Sequence, residues 1–113
     1  MILNLTPHPI RLYSSDRPDG IDDLEPGLRE VIPPEETPAR LATFEVSSGM
    51  WPVLVEFGHA QNLPPKRDGV QHIVSLVVAL ALADRRSDLL VPYREVRNST
   101  GTVIGCRQLA QPV

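Results

Sequence analysis

Two short stretches in the first third of the chain have the character of β-strands. Ile10–Tyr13 alternates apolar and polar side chains with the period of a half-buried strand, and Leu28–Ile32 offers a second short strand before two prolines. Residues 14–27, between them, collect serine, aspartate, proline and glycine and carry five acidic side chains. The pattern predicts two strands joined by an exposed, mobile acidic loop at 14–27.

A longer pair of β-type segments follows. Residues 39–46 alternate between two faces, and residues 51–57 are rich in β-branched and aromatic side chains. The short turn at 47–49 contains glycine, so the two segments predict a β-hairpin. Pro52 indicates that the second strand begins at a sheet edge, because proline cannot donate within a central ladder. Residues 58–69 are predicted to be a connecting loop.

The longest apolar run covers residues 73–83. Residues 70–75 are β-branched and predict a strand, whereas residues 76–83 contain neither glycine nor proline and are rich in leucine and alanine. Periodicity alone leaves a buried strand possible for this second part, but leucine and alanine favour a helix. Ser75 lies at the junction and is expected to cap that helix. A membrane span needs about 20 residues, so this run predicts a core element and no membrane association.

The last third of the chain predicts more strands. Residues 89–91 form a short strand that ends before Pro92. Residues 95–97 and 102–109 are joined by the turn-forming segment 98–101, and together they predict a second hairpin.

Twelve prolines are spread over the 113 residues, and they restrict helices and central strands to the segments between them. The predicted fold class is therefore α+β and strand-dominated. We expect a small twisted antiparallel or mixed sheet, open-barrel or sandwich-like, with one apolar helix packed on it. The length fits a single domain over residues 1–113.

Charge and cysteine content narrow the function classes. The net charge of −3 divides into −6 over residues 1–65 and +3 over residues 66–113, with no basic run interleaved with aromatic residues. Nucleic-acid binding is therefore unlikely. The single cysteine excludes an internal disulfide, and the first residues lack the basic and apolar regions of a secretory signal. A cytoplasmic location is expected.

Four segments distributed over the chain form a recognisable pattern. They are Asn4-Leu5-Thr6-Pro7-His8; Ile32-Pro33-Pro34 with Thr37, Ala39 and Arg40; Leu63-Pro64 with Asp68-Gly69 and Ile73-Val74-Ser75; and Asp88-Leu89-Leu90-Val91-Pro92 with Val96-Arg97, Gly101 and Ile104. With these segments the chain resembles a family of small uncharacterised proteins of phages and bacteria, including actinobacteria. The resemblance departs at Glu36, where glycine is expected, and at His72, where an aromatic residue is expected. It implies one domain and no particular activity.

Candidate catalytic and metal-binding groups do not form a complete set. His8 lies between two prolines that hold its backbone, which fits either a ligand-binding ring or a structural turn. Glu56 and His59 are three residues apart, but they cross a predicted strand end and fall short of the three protein ligands of a catalytic zinc site. Ser75 is not flanked by the glycines of the Gly-x-Ser-x-Gly turn that exposes a nucleophilic serine. Cys106 follows a glycine in a predicted strand, which is typical of a small core residue. No metal, cofactor or catalytic residue is assigned.

Arginines near the helix offer forked donors for an anion. The candidate ligand-binding residues are His8, Arg40, Ser75, Arg85 and Arg86, and the alternative for the arginines is a solvated surface. The sequence thus favours a non-enzymatic binding module of phage-associated type that recognises a small anionic ligand or a protein partner. A homo-oligomeric structural or interaction protein, with edges such as residues 51–57 pairing between copies, is the alternative, and a small hydrolase is third.

Overall fold

The computed structural model of the chain describes residues 1–46, 49, 51–52 and 54–113. Within that part, eight strands and one helix are present. In chain order they are β1 (Ile2–Asn4), β2 (Ile10–Tyr13), β3 (Leu28–Ile32), β4 (Arg40–Glu45), β5 (Val55–Gln61), β6 (Gln71–Ile73), α1 (Leu76–Leu82), β7 (Leu89–Arg97) and β8 (Val103–Ala110).

Six strands form one mixed sheet in the order β1-β6-β7-β8-β2-β3. The β1–β6, β6–β7 and β2–β8 pairs are parallel, whereas β7–β8 and β2–β3 are antiparallel. A bridge between Asn4 and Pro34 brings the end of β3 back to β1, so the sheet is nearly closed. The structure confirms the predicted α+β, strand-dominated class with an open-barrel sheet and one packed helix.

Two hydrophobic clusters stabilise this arrangement. One lies among the strands of the curled sheet and is built on Ile32, Ile73 and Leu90. The other includes Val78 and Ala79 of α1, together with residues of β4, β7 and the segment after β1. The helix therefore packs through one face only, against β7 and β4.

The helix begins directly after Ser75, as the sequence predicts, but its burial differs from expectation. Ser75 has extended backbone angles at the N-cap and makes no side-chain capping hydrogen bond. Leu76, Val77 and Leu80 remain exposed, although the all-apolar run predicted a central core element. The main contacts of the helix are with β7 and β4, both reached through its Val78 and Ala79 face, so the opposite face stays in solvent.

Two strand predictions need correction because the pairing is non-local. β1 was not predicted, and it forms by parallel pairing of Ile2–Asn4 with β6, some 70 residues later. Strand β7 does not stop before Pro92 but runs through it to Arg97. Leu90 is the last residue of β7 that pairs with β6. At Pro92 one edge of the strand is therefore open, which is a position where proline is tolerated.

The hairpin predicted over residues 39–57 forms, with a later second strand. β5 begins at Val55 rather than at residue 51 and continues to Gln61, through the segment predicted as a loop. The register shift beside Gly58 places Ala60 opposite Leu41, where both join the core around α1. The predicted turn residues Ser47 and Ser48 lie outside the described residues.

Arg17 organises the acidic loop at 14–27. Its guanidinium is buried and donates to the carbonyls of Pro26, Ile21 and Asp23, at 2.6, 3.0 and 3.0 Å. Carboxylates of the loop also accept hydrogen bonds from the β7–β8 hairpin, as at Asp22, which binds the Ser99 amide at 2.9 Å. These contacts oppose the mobility that composition predicts, and that mobility stays a prediction.

Candidate functional site

A cleft of about 580 Å³ opens where β2 and β8 separate. The two strands run parallel and, among the described residues, pair through Leu12 and Cys106 alone. Toward their starting ends they diverge, which leaves a gap between the segment before β2 and the first residues of β8. The gap is lined by His8, Pro9, Ile10, Arg11, Leu24, Pro92, Val103, Ile104, Gly105 and Cys106.

The buried Asn4 side chain holds His8 at the mouth of this cleft. Its Nδ2 donates to the carbonyl oxygens of His8, at 2.7 Å, and Ile32, at 3.0 Å. Its Oδ1 accepts from the amide and the hydroxyl of Thr6, at 2.9 and 2.6 Å. Three of these four hydrogen bonds fix the turn that carries His8, and the fourth connects the amide to the end of β3, so the backbone of His8 is positioned before any ligand arrives.

The acidic loop supplies the opposite wall. The Tyr13 hydroxyl donates to the Leu24 carbonyl at 2.9 Å, and the Arg17 guanidinium lies over the Tyr13 ring, 4.6 Å from its centroid. Gly105 of β8 faces the same ring and has no side chain to push it away. Leu24 therefore reaches the cleft on a loop anchored to both β2 and β8.

The lining of the cleft is mainly apolar, but it includes two side chains that can donate hydrogen bonds, the His8 ring and the Arg11 guanidinium. Within the described part of the chain, neither the His8 ring nor the Arg11 guanidinium takes part in a hydrogen bond or ion pair. Cys106 is buried at the cleft, and burial raises the pKa of its thiol, which keeps it in the neutral form. A neutral thiol adds to the apolar character of the lining.

The other predicted ligand residues lie away from this cleft. Arg40 is exposed on β4 and donates to Gln61, and Arg85 is exposed beside Asp84. Ser75 precedes α1, whereas Arg85 and Arg86 follow it, so the predicted set is not brought to one place. Arg11 was missed by the sequence reasoning. Its signal was the polar position it occupies in an alternating strand, three residues after His8.

Arg86 belongs to a buried ionic network just after the C-terminal end of α1. It donates two hydrogen bonds to the Asp88 carboxylate, at 2.8 and 2.7 Å, and one to the Pro64 carbonyl at 2.9 Å. His72 Nδ1 lies 3.1 Å from the same carboxylate. The Arg86 hydrogen bonds lower the pKa of Asp88 to about 2.

This network is structural rather than catalytic in its geometry. A histidine paired with an aspartate is part of many catalytic triads, but those triads also need an adjacent nucleophile. His72 is fully buried, and its Nε2 has no hydrogen-bond partner in the described part of the chain. Over the same residues, no group of three metal-ligating side chains occurs. Glu56 and His59 stay on the exposed hairpin.

We expect the Asp88 carboxylate to make folding stability depend on acid pH. Its pKa lies below the ordinary value of 3.8 in the folded protein, so the folded state favours the charged form. The contribution, about 2 kcal/mol at 1.36 kcal/mol per pKa unit, is complete well above pH 3.8 and disappears as the pH falls through about 2. The measurement is the free energy of unfolding of wild type minus that of Asp88→Asn from about pH 5 to about pH 1, a range that spans those two pKa values.

Other acidic groups with lowered pKa, such as Asp19 and Asp22, are present in both proteins and cancel in that difference. The difference should shrink steadily toward the acid end. A difference that is constant with pH would contradict the assignment.

The comparisons with known proteins give no relative for this site. No protein-family model, no curated protein and no solved structure matches the chain. Within the described residues, no helix has the length and apolar character needed to cross a membrane.

Proposed function

We propose that this protein is a non-enzymatic binding module that holds a small carboxylic acid with an apolar body in the cleft between β2 and β8. The observation that carries the proposal is the pair formed by His8 and Arg11, two donor side chains at an apolar cleft that have no side-chain hydrogen bond or ion pair with any described residue. The cleft volume of about 580 Å³ suits a small molecule.

The chemistry of the lining selects the ligand class. Leu24, Pro92 and Ile104 offer apolar surface from three separate parts of the chain, which favours a ligand with a hydrocarbon or aromatic body. A planar guanidinium binds a carboxylate through two parallel hydrogen bonds, and the His8 ring adds a further donor. The carboxylate would therefore lie at Arg11 and His8, with the body directed along the apolar wall.

The chemical groups at the cleft favour ligand binding without a chemical reaction. The thiol of Cys106 is held neutral by burial, and a neutral thiol is a poor nucleophile. Asn4 holds the backbone of His8 and forms no hydrogen bond with its ring. The proposal includes a cytoplasmic location, since one buried free cysteine suits a reducing compartment. It also includes membership of the phage-associated family that the chain resembles.

Octanoate is a suitable probe, with octanamide as its neutral counterpart. We expect octanoate to shift the amide resonances of His8, Ile10, Arg11 and residues 103–106 in a ¹⁵N-correlated NMR titration, and octanamide to do so much more weakly. In Arg11→Gln, the affinity for octanoate should fall by about tenfold or more, because a charge-assisted hydrogen bond contributes roughly 1.5–3 kcal/mol.

Arg85→Gln is the matched control, because Arg85 is an exposed arginine outside the cleft. Its octanoate affinity should equal that of wild type. Loss of binding in Arg85→Gln together with retention in Arg11→Gln would reverse the assignment and favour an anion site after α1. Equal titrations with octanoate and octanamide would rule out recognition of the carboxylate.

A further inference from the structure

The outer part of the β4–β5 hairpin, residues 43–57 and here called the arm, projects from the rest of the molecule. The base of the hairpin is anchored in the core by Leu41 and Ala60, but the described arm residues beyond it are all exposed on both faces of the ribbon. The radius of gyration is 16.1 Å, whereas about 13 Å is expected for a compact chain of this length. The arm therefore has no body of this chain to pack on.

The arm carries apolar side chains of a kind that solvated ribbons rarely expose. Trp51, Phe57 and Phe44 are 96, 59 and 54% exposed, and Val46 and Val55 are about half exposed. At about 200 Å² for an aromatic side chain, the three aromatic residues alone present on the order of 400 Å². The strand register places Phe44 and Phe57 on opposite faces of the ribbon. A stable interface buries about 800 Å² per partner, so the aromatic residues supply about half of that requirement only if the partner covers both faces.

The exposed side of α1 adds a second apolar surface near the base of the arm. Leu76, Val77 and Leu80 are 58, 45 and 61% exposed, and the packed side of α1 contacts β4. Added together, the exposed apolar side chains of the arm and of α1 approach the area of a standard protein interface. Monomeric proteins seldom expose so large an apolar area.

Charge and backbone geometry select the partner. The charged side chains of the arm are Glu45 and Glu56, next to its base, and residues 46–55 between them carry none, so the outer part of the arm offers no charge pattern with which to choose a different protein. The arm is a ribbon of two antiparallel strands, and such ribbons are marginally stable alone but stable with three or more strands. Two arms stacked face to face about a twofold axis cover each other's apolar side chains on one face, and the exposed side of the partner's α1 covers the other face.

From these observations we infer that the arm and the exposed side of α1 form the interface of a homodimer, in which each arm packs on the arm and helix of a second copy. This interface is separate from the cleft. The dimer does not require a ligand, and loss of the dimer would leave the proposed ligand site in place.

The first experiment measures mass in solution by light scattering. Wild type should have twice the monomer mass of 12.5 kDa, and the double variant Phe44→Thr/Phe57→Thr should have the monomer mass. Threonine keeps strand propensity and removes the aromatic surface. The matched control is Val31→Thr/Tyr93→Thr, which replaces a valine and a tyrosine of similar exposure on β3 and β7. This control should remain dimeric.

Wild type with the monomer mass throughout a dilution series would overturn the inference. A dimer that persists in the arm variant would also overturn it, as would a control that dissociates equally. Octanoate titration of the arm variant separates this inference from the proposed function, because the cleft should bind unchanged in the monomer.

A second measurement needs no variant. Trp51 is the single tryptophan of the chain and is almost fully exposed in the monomer. Its fluorescence emission should shift to shorter wavelength as wild-type protein is concentrated from monomer to dimer, because dimerisation removes the ring from water. An emission maximum that stays at the solvent-exposed position at every concentration would contradict burial of the arm.

Discussion

Replacing Asp88 with alanine should lower the free energy of unfolding by about 3–5 kcal/mol, the range measured when one partner of a buried ion pair is removed. Asp88 is 4% exposed and is the shared partner of Arg86 and His72. Without its carboxylate, the Arg86 guanidinium keeps the Pro64 carbonyl as its one acceptor among the described residues, and neither nitrogen of the His72 ring has a hydrogen-bond partner among them. Small domains are stable by about 5–15 kcal/mol, so this change removes a large fraction of the total.

Asp84→Ala is the matched control for Asp88→Ala. Asp84 also lies beside an arginine, at 3.8 Å from Arg85, but its side chain is 80% exposed. Exposed pairs of this kind contribute between 0 and about 1 kcal/mol, so Asp84→Ala should behave as wild type in urea unfolding. If the two alanine variants unfold at the same urea concentration, the buried network does not stabilise the fold.

The sequence predicted those elements whose signal is local. The bounds predicted for Ile10–Tyr13, from apolar and polar alternation, and for Leu28–Ile32, from the two prolines that follow it, are those that the structure shows. Ser75 was placed correctly before α1 for a similar reason, since the change from β-branched residues to leucine and alanine occurs there. Each of these signals is contained within a few neighbouring residues.

The errors concern contacts between distant parts of the chain. Nothing within Ile2–Asn4 shows that these three residues pair with a strand near residue 72. The β5 bounds were wrong because Gly58 was taken as a loop residue, whereas the glycine allows the Phe44 ring to lie across the strand. Arg17 looked like one base in an acidic loop, and its role depends on carbonyl groups that only the folded loop brings together.

The candidate site shows the same division. His8 was selected from its flanking prolines, and the structure places it at the cleft, but the group that fixes it is Asn4. Arg86 was selected as an anion donor, and two of its nitrogens already bind the carboxylate two residues later. Residue type indicates which chemistry is available. Only the fold determines whether a donor faces a ligand or a neighbouring side chain.

Gly105→Ala should be the second most damaging change, with an expected loss of about 3 kcal/mol, because its Cβ has no room between β2 and β8. An added Cβ would lie 2.5 Å from the Arg11 carbonyl oxygen and 2.6 Å from Tyr13 Cε2. Neither group can move cheaply. The carbonyl belongs to β2, and the Tyr13 ring is held by the Arg17 guanidinium on its face and by the hydroxyl bond to Leu24. Overpacking of this kind commonly costs about 1–3 kcal/mol.

Gly58→Ala provides the comparison, since both glycines lie in strands and neither has a positive φ. At Gly58 the closest obstacle is the edge of the Phe44 ring, at 2.8 Å, and that ring is more than half exposed and can swing aside. Gly58→Ala should therefore stay within about 1 kcal/mol of wild type, helped by the lower entropy of its unfolded chain. Both values come from urea unfolding of the purified variants.

The same substitution connects stability with the ligand site. To accept a methyl group, β2 must move away from β8 next to the Leu12–Cys106 pair, through which the described residues of the two strands are joined, and His8 and Arg11 move with β2. Gly105→Ala should therefore also weaken octanoate binding, at temperatures where the variant is still folded, whereas Gly58→Ala should not. A Gly105→Ala protein that is as stable as Gly58→Ala would show that β2 and β8 are not in close contact. The cleft described between these two strands would then be wrong as well.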